Sequence, residues 1–349
     1  MTHKELVDAA ITGTKADRVP FLILDGGTWV ISQAQASFAD FLAKEDAGAA
    51  ELCRLFSEAG SDWYCAMAGF GIAWLAALGC KCDLNKMGGS IDVHPAIEDG
   101  EKEIPKLDKS TVREKLEQDS LIQRLLLQAK GIAAIAENEN KYVAYSILGP
   151  FSAAGVMLGT EELVGTLYDD PDLVHSLLDY TTEVCCQMVD LLHEAGCEIP
   201  IICEPTGGGE MLSPAFYEEF VAPYLKTVME RTKDKCVYYT AHMCGNSAAR
   251  VAPLTEMGVR AFSVDFKVDI SQAVKDADGK MCIFGNINPA GTVFGGTPEK
   301  AYEESVTAIK MANGKPFALM PGCDIPYGAP MENLQMMAKA AADTTSLTC

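Results

Sequence analysis

Eight short apolar runs, each followed by an amphipathic helical pattern or a loop, constrain this chain more than any other feature. They are VPFLILDGG (19–27), SDWYCAM (61–67), YVAYSILGP (142–150), IPIICEPTG (199–207), KCVYYTAH (235–242), VRAFSVDF (259–266), KMCIFGN (280–286) and KPFALMPG (315–322). The stretch 171–196 shows what lies between them: Pro171 opens it in the first turn and Gly196 stops it. Its Leu173, Leu177, Val184, Met188 and Leu191 recur on one face, as a helix packing on the outside of a barrel requires. The stretches 213–234, 297–314 and 331–345 read as helices of the same kind. Eight strand–helix units predict an α/β chain folded as a TIM (β/α)8 barrel. A doubly wound sheet is the alternative, but no GxGxxG follows the first run. Residues 1–349 are read as one barrel domain, a length such barrels reach. Residues 68–110 are too long for a plain loop. They predict an insertion after strand 2 whose short strands cap the barrel mouth.

Composition narrows the partners. With 49 acidic against 28 basic residues, the formal charge of −21 argues against nucleic acid and anionic membrane surfaces. The N-terminal stretch MTHKELVDAAITGTK reads as an amphipathic helix without the apolar core of a secretory signal. The most apolar stretch, GFGIAWLAALGC (69–80), is too short to span a bilayer. A cytoplasmic location is expected. The 13 cysteines include no CxxC pair, so they are expected to be reduced, buried or metal-bound.

In a TIM barrel the chemistry sits at the C-terminal ends of the strands. Asp25 ends the first run, Glu204 the fourth, Asp265 the sixth and Asn286 the seventh. His242 and Cys244 lie two residues apart at the end of the fifth. A strand turns residues i and i+2 to the same face, so both aim at one point. That pair suits a metal, a catalytic couple, or two satisfied core residues. Cys323, after MPG at the eighth strand end, adds a third soft ligand. One His and two thiolates leave a fourth position open, the arrangement of a catalytic zinc rather than a structural one. Glu204 precedes the glycines of PTGGGE, which suggests close backbone approach by a ligand, though the same glycines also suit a tight turn. Glu204 and Asp265 are the catalytic candidates; Asp25, Asn286 and Tyr238 are the substrate-binding candidates. His3, His94, His175 and His193 are expected on solvated faces, Cys185 and Cys186 in packing. The CKC at 80–82 has no partner histidine nearby.

The stretches AHMCGN, VDFKVDISQA, GNINPAGTVFGGTPE and ALMPGCDIPYGAPMENLQMM resemble the uroporphyrinogen decarboxylase superfamily. More closely, they resemble its methylcobalamin:coenzyme M methyltransferase branch. The likeness runs from about Arg18 to Lys339. It implies a TIM barrel, and zinc on His242, Cys244 and Cys323, the branch's HxC followed about eighty residues later by Cys. It also implies methyl transfer from a methylated corrinoid to a thiol acceptor such as coenzyme M. The corrinoid would arrive on a separate, cognate corrinoid protein, because the chain has no DxHxxG motif. Within that activity Glu204 would occupy the zinc's fourth position until substrate displaces it, or accept the thiol proton.

Three other readings stay open. The reverse transfer would demethylate a donor onto a Co(I) corrinoid. A barrel that binds a corrinoid or a metal without turnover belongs to a different class. Uroporphyrinogen decarboxylation is disfavoured, since a polycarboxylate needs an arginine-lined cleft. The chain has seven arginines, and none lies in DGGTWVISQ after the first strand.

Overall fold

A computed structural model describes residues 1–88 and 90–344. Nine strands are present among them. They are β1 (Trp63–Ala66), β2 (Lys81–Cys82), β3 (Val93–His94), β4 (Tyr142–Leu148), β5 (Ile199–Cys203), β6 (Thr240–Met243), β7 (Ala261–Val264), β8 (Cys282–Ile287) and β9 (Phe317–Pro321). Seven of them form one parallel sheet in the order β1-β4-β5-β6-β7-β8-β9. The run at 19–27 supplies the closing eighth position. Phe21 bridges Leu319 in parallel, the Leu22 N–H donates to the Leu319 carbonyl, and the Asp62 N–H donates to the Phe21 carbonyl. The sheet therefore curls into a (β/α)8 barrel, with helices such as Pro171–Glu194 and Pro298–Ala312 outside it.

Strand parity sorts the apolar side chains into two cores. Leu22, Leu24, Trp63, Ala144, Ile199, Ile201, Phe284 and Met320 fill the barrel. Their neighbours Tyr64, Val143, Ala241, Phe262, Ile283 and Leu319 face the surrounding helices. Trp63 and Phe284 meet edge to face across the interior at 5.7 Å. Burying a side chain such as Phe284 contributes about 1.5–3 kcal/mol.

The N-terminal end of the barrel is closed by the helix α1 (His3–Thr12). Thr2 caps it, accepting from the Glu5 N–H, while the Glu5 carboxylate accepts from the Thr2 N–H. Gly13 ends it in the left-handed conformation (φ 71°). Val7, Ala10 and Ile11 pack up into the interior core.

Two readings of the sequence need correction. The helical stretch 213–234 is two helices, Pro214–Phe220 and Ala222–Thr232. Pro223 falls at their junction and has no N–H to continue the first ladder. The fifth strand begins only at Thr240, so Tyr238 precedes it. Its hydroxyl donates to Asp8 Oδ1 on α1 at 2.8 Å, beside the Tyr142 hydroxyl, which does the same at 2.8 Å. Tyr238 belongs to the barrel floor.

Between β1 and β4 the chain makes a 3-10 turn at Ala73–Leu78, the antiparallel pair β2–β3, and a short helix at Gly100–Glu103. No helix among the described residues is long and apolar enough to cross a membrane.

Candidate metal centre

His242 lies on β6, where the alternation that turns Ala241 and Met243 outward sends it inward, 2% exposed. Its register partner Ser263 on β7 fixes the ring. Nδ1 sits 3.0 Å from the Ser263 hydroxyl and 3.2 Å from the Ser263 carbonyl. A proton on Nδ1 directed to that carbonyl leaves Nε2 free as a ligand, the outer hydrogen bond that sets a metal-binding histidine's tautomer. Cys244 continues the same parity just past the strand. Cys323 follows β9 after Gly322. A Cβ at Gly322 would stand 2.8 Å from the Phe266 nitrogen, so the close approach of the two loops requires glycine there.

The three donor atoms form a triangle. Nε2 of His242 is 3.3 Å from Cys244 Sγ and 3.7 Å from Cys323 Sγ, and the two sulfurs are 3.6 Å apart. Zinc at about 2.3 Å from sulfur and about 2.0 Å from nitrogen, with tetrahedral angles, needs S···S near 3.8 Å and N···S near 3.6 Å. The donor set fits. Among the described residues these three are the group of His, Cys, Asp or Glu able to share an ion. Among the described residues the remaining thiols are free, and burial pushes those of Cys65, Cys185 and Cys282 well above the ordinary thiol range. The hydrogen bond between the two thiols of the triangle lowers Cys244, against burial, and together with burial raises Cys323.

The loops around the triangle brace one another. Asp265, after β7, accepts from the Gly245 N–H with Oδ2 (3.1 Å) and from the Lys267 N–H with Oδ1 (3.0 Å). Asn286 donates through Nδ2 to the carbonyls of Asp265 (2.9 Å) and Val268 (2.7 Å). Asp265 thus holds the turn that carries Cys244, and Asn286 holds the loop that carries Asp265.

Glu204 is elsewhere. It is fully buried, and its oxygens accept from the Phe151 N–H (3.0 Å) and the Ser152 N–H (2.8 Å) at the start of the helix Pro150–Leu158. A Cβ on Gly149 would come within 2.4 Å of that carboxylate, so glycine admits it. Burial pushes its carboxyl up to about 7, against those N–H bonds. A strand-end carboxylate reads as a mouth residue in sequence; here it caps the neighbouring unit's helix instead.

A cavity of about 220 Å³ opens beside the triangle, touching His242, Cys244 and Cys323. Asp25 lines it, as do Asp324, Thr28 and Ser146, which the sequence did not single out. Asp25 Oδ1 accepts from the N–H groups of Gly27 (3.0 Å) and Gly69 (2.5 Å), and Ser146 donates its hydroxyl to Oδ2. Asp324 accepts from the N–H groups of Gly26 and Ile325, both at 2.8 Å, and from the Thr28 hydroxyl at 3.2 Å. Burial raises both carboxyls, Asp324 further because Asp25 is beside it. Adjacency to Cys323 was the available signal for Asp324; Ser146 and Ser263 had none, since their partners are distant in sequence. Gly69, Gly71, Ile72, Ser90 and Ile91 bring the stretch after β1 to the same cavity.

A methylcobamide:CoM methyltransferase of Methanosarcina acetivorans is 30% identical over 217 residues, 62% of each chain. The present chain thus spans about three fifths of that relative's length. A methylated-thiol–coenzyme M methyltransferase of Methanosarcina mazei is 25% identical over 272 residues, 76% of this chain and 69% of the relative. A uroporphyrinogen decarboxylase of Prochlorococcus marinus is 28% identical over 185 residues, 52% of this chain and 50% of its own. In three dimensions, a methyltransferase from Methanosarcina mazei superposes with a TM-score of 0.84 at 20% identity, covering 98% of this chain and 99% of that one, a likeness of fold. The family model described as uroporphyrinogen decarboxylase (URO-D) matches residues 2–344, and the chain belongs to that family.

Proposed function

We propose that the chain is a zinc-dependent methyltransferase that moves a methyl group from a methylated corrinoid to a small thiol. The observation that carries this reading is the donor triangle of His242, Cys244 and Cys323, spaced for zinc and open to a cavity on one side. A zinc ion held by these residues would supply the Lewis acidity that keeps a thiol as its thiolate at neutral pH. The relatives named as methylcobamide:CoM methyltransferases support the same chemistry.

The chain's own residues position and shield the reacting sulfur. Ser263 orients His242, Asp265 fixes the Cys244 turn and Asn286 fixes the Asp265 loop, so the acceptor meets a site already built. Asp265 serves as a positioning group, whereas Glu204 acts only through the helix Pro150–Leu158 that it caps. Leu24, Ile72, Ile91, Ile147 and Leu148 wall the cavity and keep water from the nucleophile. The sulfur–carbon bond forms as the cobalt–carbon bond breaks, and its electron pair stays on cobalt as Co(I).

At about 220 Å³ the cavity is below the range of drug-sized pockets, so it suits a small thiol and leaves a corrin macrocycle at the rim. Met211, Phe266, Phe294 and Tyr327 stand exposed on the loops after β5, β7, β8 and β9. Large apolar side chains gathered at one face favour a docked partner, here the cognate corrinoid protein. The free thiols suit a reducing compartment, in keeping with a cytoplasmic site.

The test is an anaerobic assay of zinc-loaded protein with methylcobalamin and a panel of small thiols. Methyl-Co(III) absorbance should decay as Co(I) appears, and the decay should vanish in His242→Ala. If no thiol supports decay, the forward reaction is wrong.

A further inference from the structure

Nδ1 of His242 has two oxygens of one residue beside it, and they make opposite demands. The Ser263 carbonyl, at 3.2 Å, can only accept, so that contact needs a proton on Nδ1 and leaves Nε2 bare for a metal. The Ser263 hydroxyl, at 3.0 Å, can accept or donate. If it donates, Nδ1 is bare and the proton of the neutral ring sits on Nε2. The atom that faces the two sulfurs is then blocked. Ser263 is fully buried, so its hydroxyl proton needs a neighbour to accept it. The hydroxyl's other contact is Met320 Sδ, 3.6 Å from the oxygen. The barrel brings these two residues together. β7 and β9 are alternate strands, and side chains from alternate strands share a layer of the interior. Met320 is fully buried there, in the same apolar cluster as Trp63 and Phe284. A methionine fills such a layer as an apolar side chain, yet its thioether is a weak acceptor.

Building on the zinc site of the reading above, we propose that Met320 is a positioning residue of the metal centre. By accepting the Ser263 hydroxyl proton it keeps that hydroxyl an acceptor, and so keeps His242 in the tautomer whose Nε2 is free. Without the thioether, the hydroxyl of the zinc-free protein regains a partner by donating to Nδ1. Zinc must then break that bond and displace the ring proton before it can bind.

Met320→Leu keeps the volume and removes the acceptor, a change that cores tolerate. Two readouts apply, and neither is activity. In the zinc-free protein, at a pH where the ring is neutral, nitrogen NMR of histidine-labelled protein should show His242 moving from the Nδ1–H to the Nε2–H tautomer. Loss of the signals in His242→Gln assigns them. Zinc affinity, from competition with a chromophoric chelator, should fall by about tenfold, the lower end of what an outer hydrogen-bond partner contributes. In the Ser263→Ala protein there is no hydroxyl to redirect, so adding Met320→Leu should change neither readout. An unchanged tautomer or affinity in Met320→Leu overturns the inference while the zinc reading stands. So does a loss just as large in the Ser263→Ala background, which would mark a packing effect. Wild-type protein that binds no zinc removes that reading and this inference together.

Discussion

The two ends of the barrel bury carboxylates in opposite ways. At the floor, Asp62 is fully buried and meets a cation directly. Arg18 donates to both of its oxygens (2.8 and 2.6 Å), His3 Nδ1 lies 2.7 Å away, and the Phe21 N–H adds a fourth bond at 2.9 Å. Burial alone would raise this carboxyl, but the bonds from His3 and Arg18 hold it below its ordinary value. At the opposite end, Asp25 and Asp324 at the mouth, and Glu204 behind it at the start of the helix Pro150–Leu158, receive only N–H and O–H groups, and burial wins in all three. A desolvated carboxyl without a cation is costly. The fold concentrates that cost beside the donor triangle, whereas the buried carboxylate of the floor, Asp62, is charge-paired. One end stabilises the barrel; the other holds groups whose state a ligand can change.

Substitutions at the two ends should separate these roles. Cys323→Ala removes one of the three donors of the proposed zinc site. Zinc affinity should fall by more than the ~10–100-fold that loss of an outer hydrogen-bond partner costs, while the urea midpoint of the metal-free protein stays close to wild type. Metal analysis after dialysis against a chelator reads the first effect. Full zinc retention would break the comparison at once. Asp62→Ala strands the Arg18 guanidinium and should cost about 3–5 kcal/mol of unfolding free energy in urea. Zinc per folded molecule should not change. A variant that kept its stability but lost zinc would show that the floor is not a separate structural device.

The sequence exposed the barrel and the triangle for the same reason: both are written in short-range periodicity. Apolar runs at regular spacing mark strands, and period-2 alternation places His242 and Cys244 together without any knowledge of their neighbours. Cys323 joined them only once the strand count made its run the last of the ring. What stayed hidden depends on contacts distant in sequence. Asp25 and Ser146 are 121 residues apart. Glu204 faces a helix start 53 residues earlier rather than the mouth, because Gly149 leaves room for it. Tyr238 reads as a substrate-binding candidate in the sequence, but the strand rises only from Thr240 and the preceding tyrosine reaches Asp8 on the floor.

Glu204 offers the smallest and sharpest test of the unpaired end. Its carboxyl titrates near 4.5 in the unfolded chain and about 7 in the fold. Between those values the folded protein binds the extra proton, so stability falls as pH rises through that window and levels off above it. Over pH 5 to 8 the decline assignable to this group is about 2 kcal/mol. Glu204→Gln removes the titration but leaves one amide oxygen to accept from the helix start, at a cost of about 1 kcal/mol for the second bond. The variant should therefore be less stable than wild type at pH 5 and as stable or more so at pH 8. Urea unfolding of both metal-free proteins across that range gives the difference directly, with every other titrating group cancelling. Two parallel curves would mean that the Phe151 and Ser152 N–H groups hold the carboxylate as firmly as Arg18 holds Asp62. In that case the contrast between the ends would rest on the metal ligands alone.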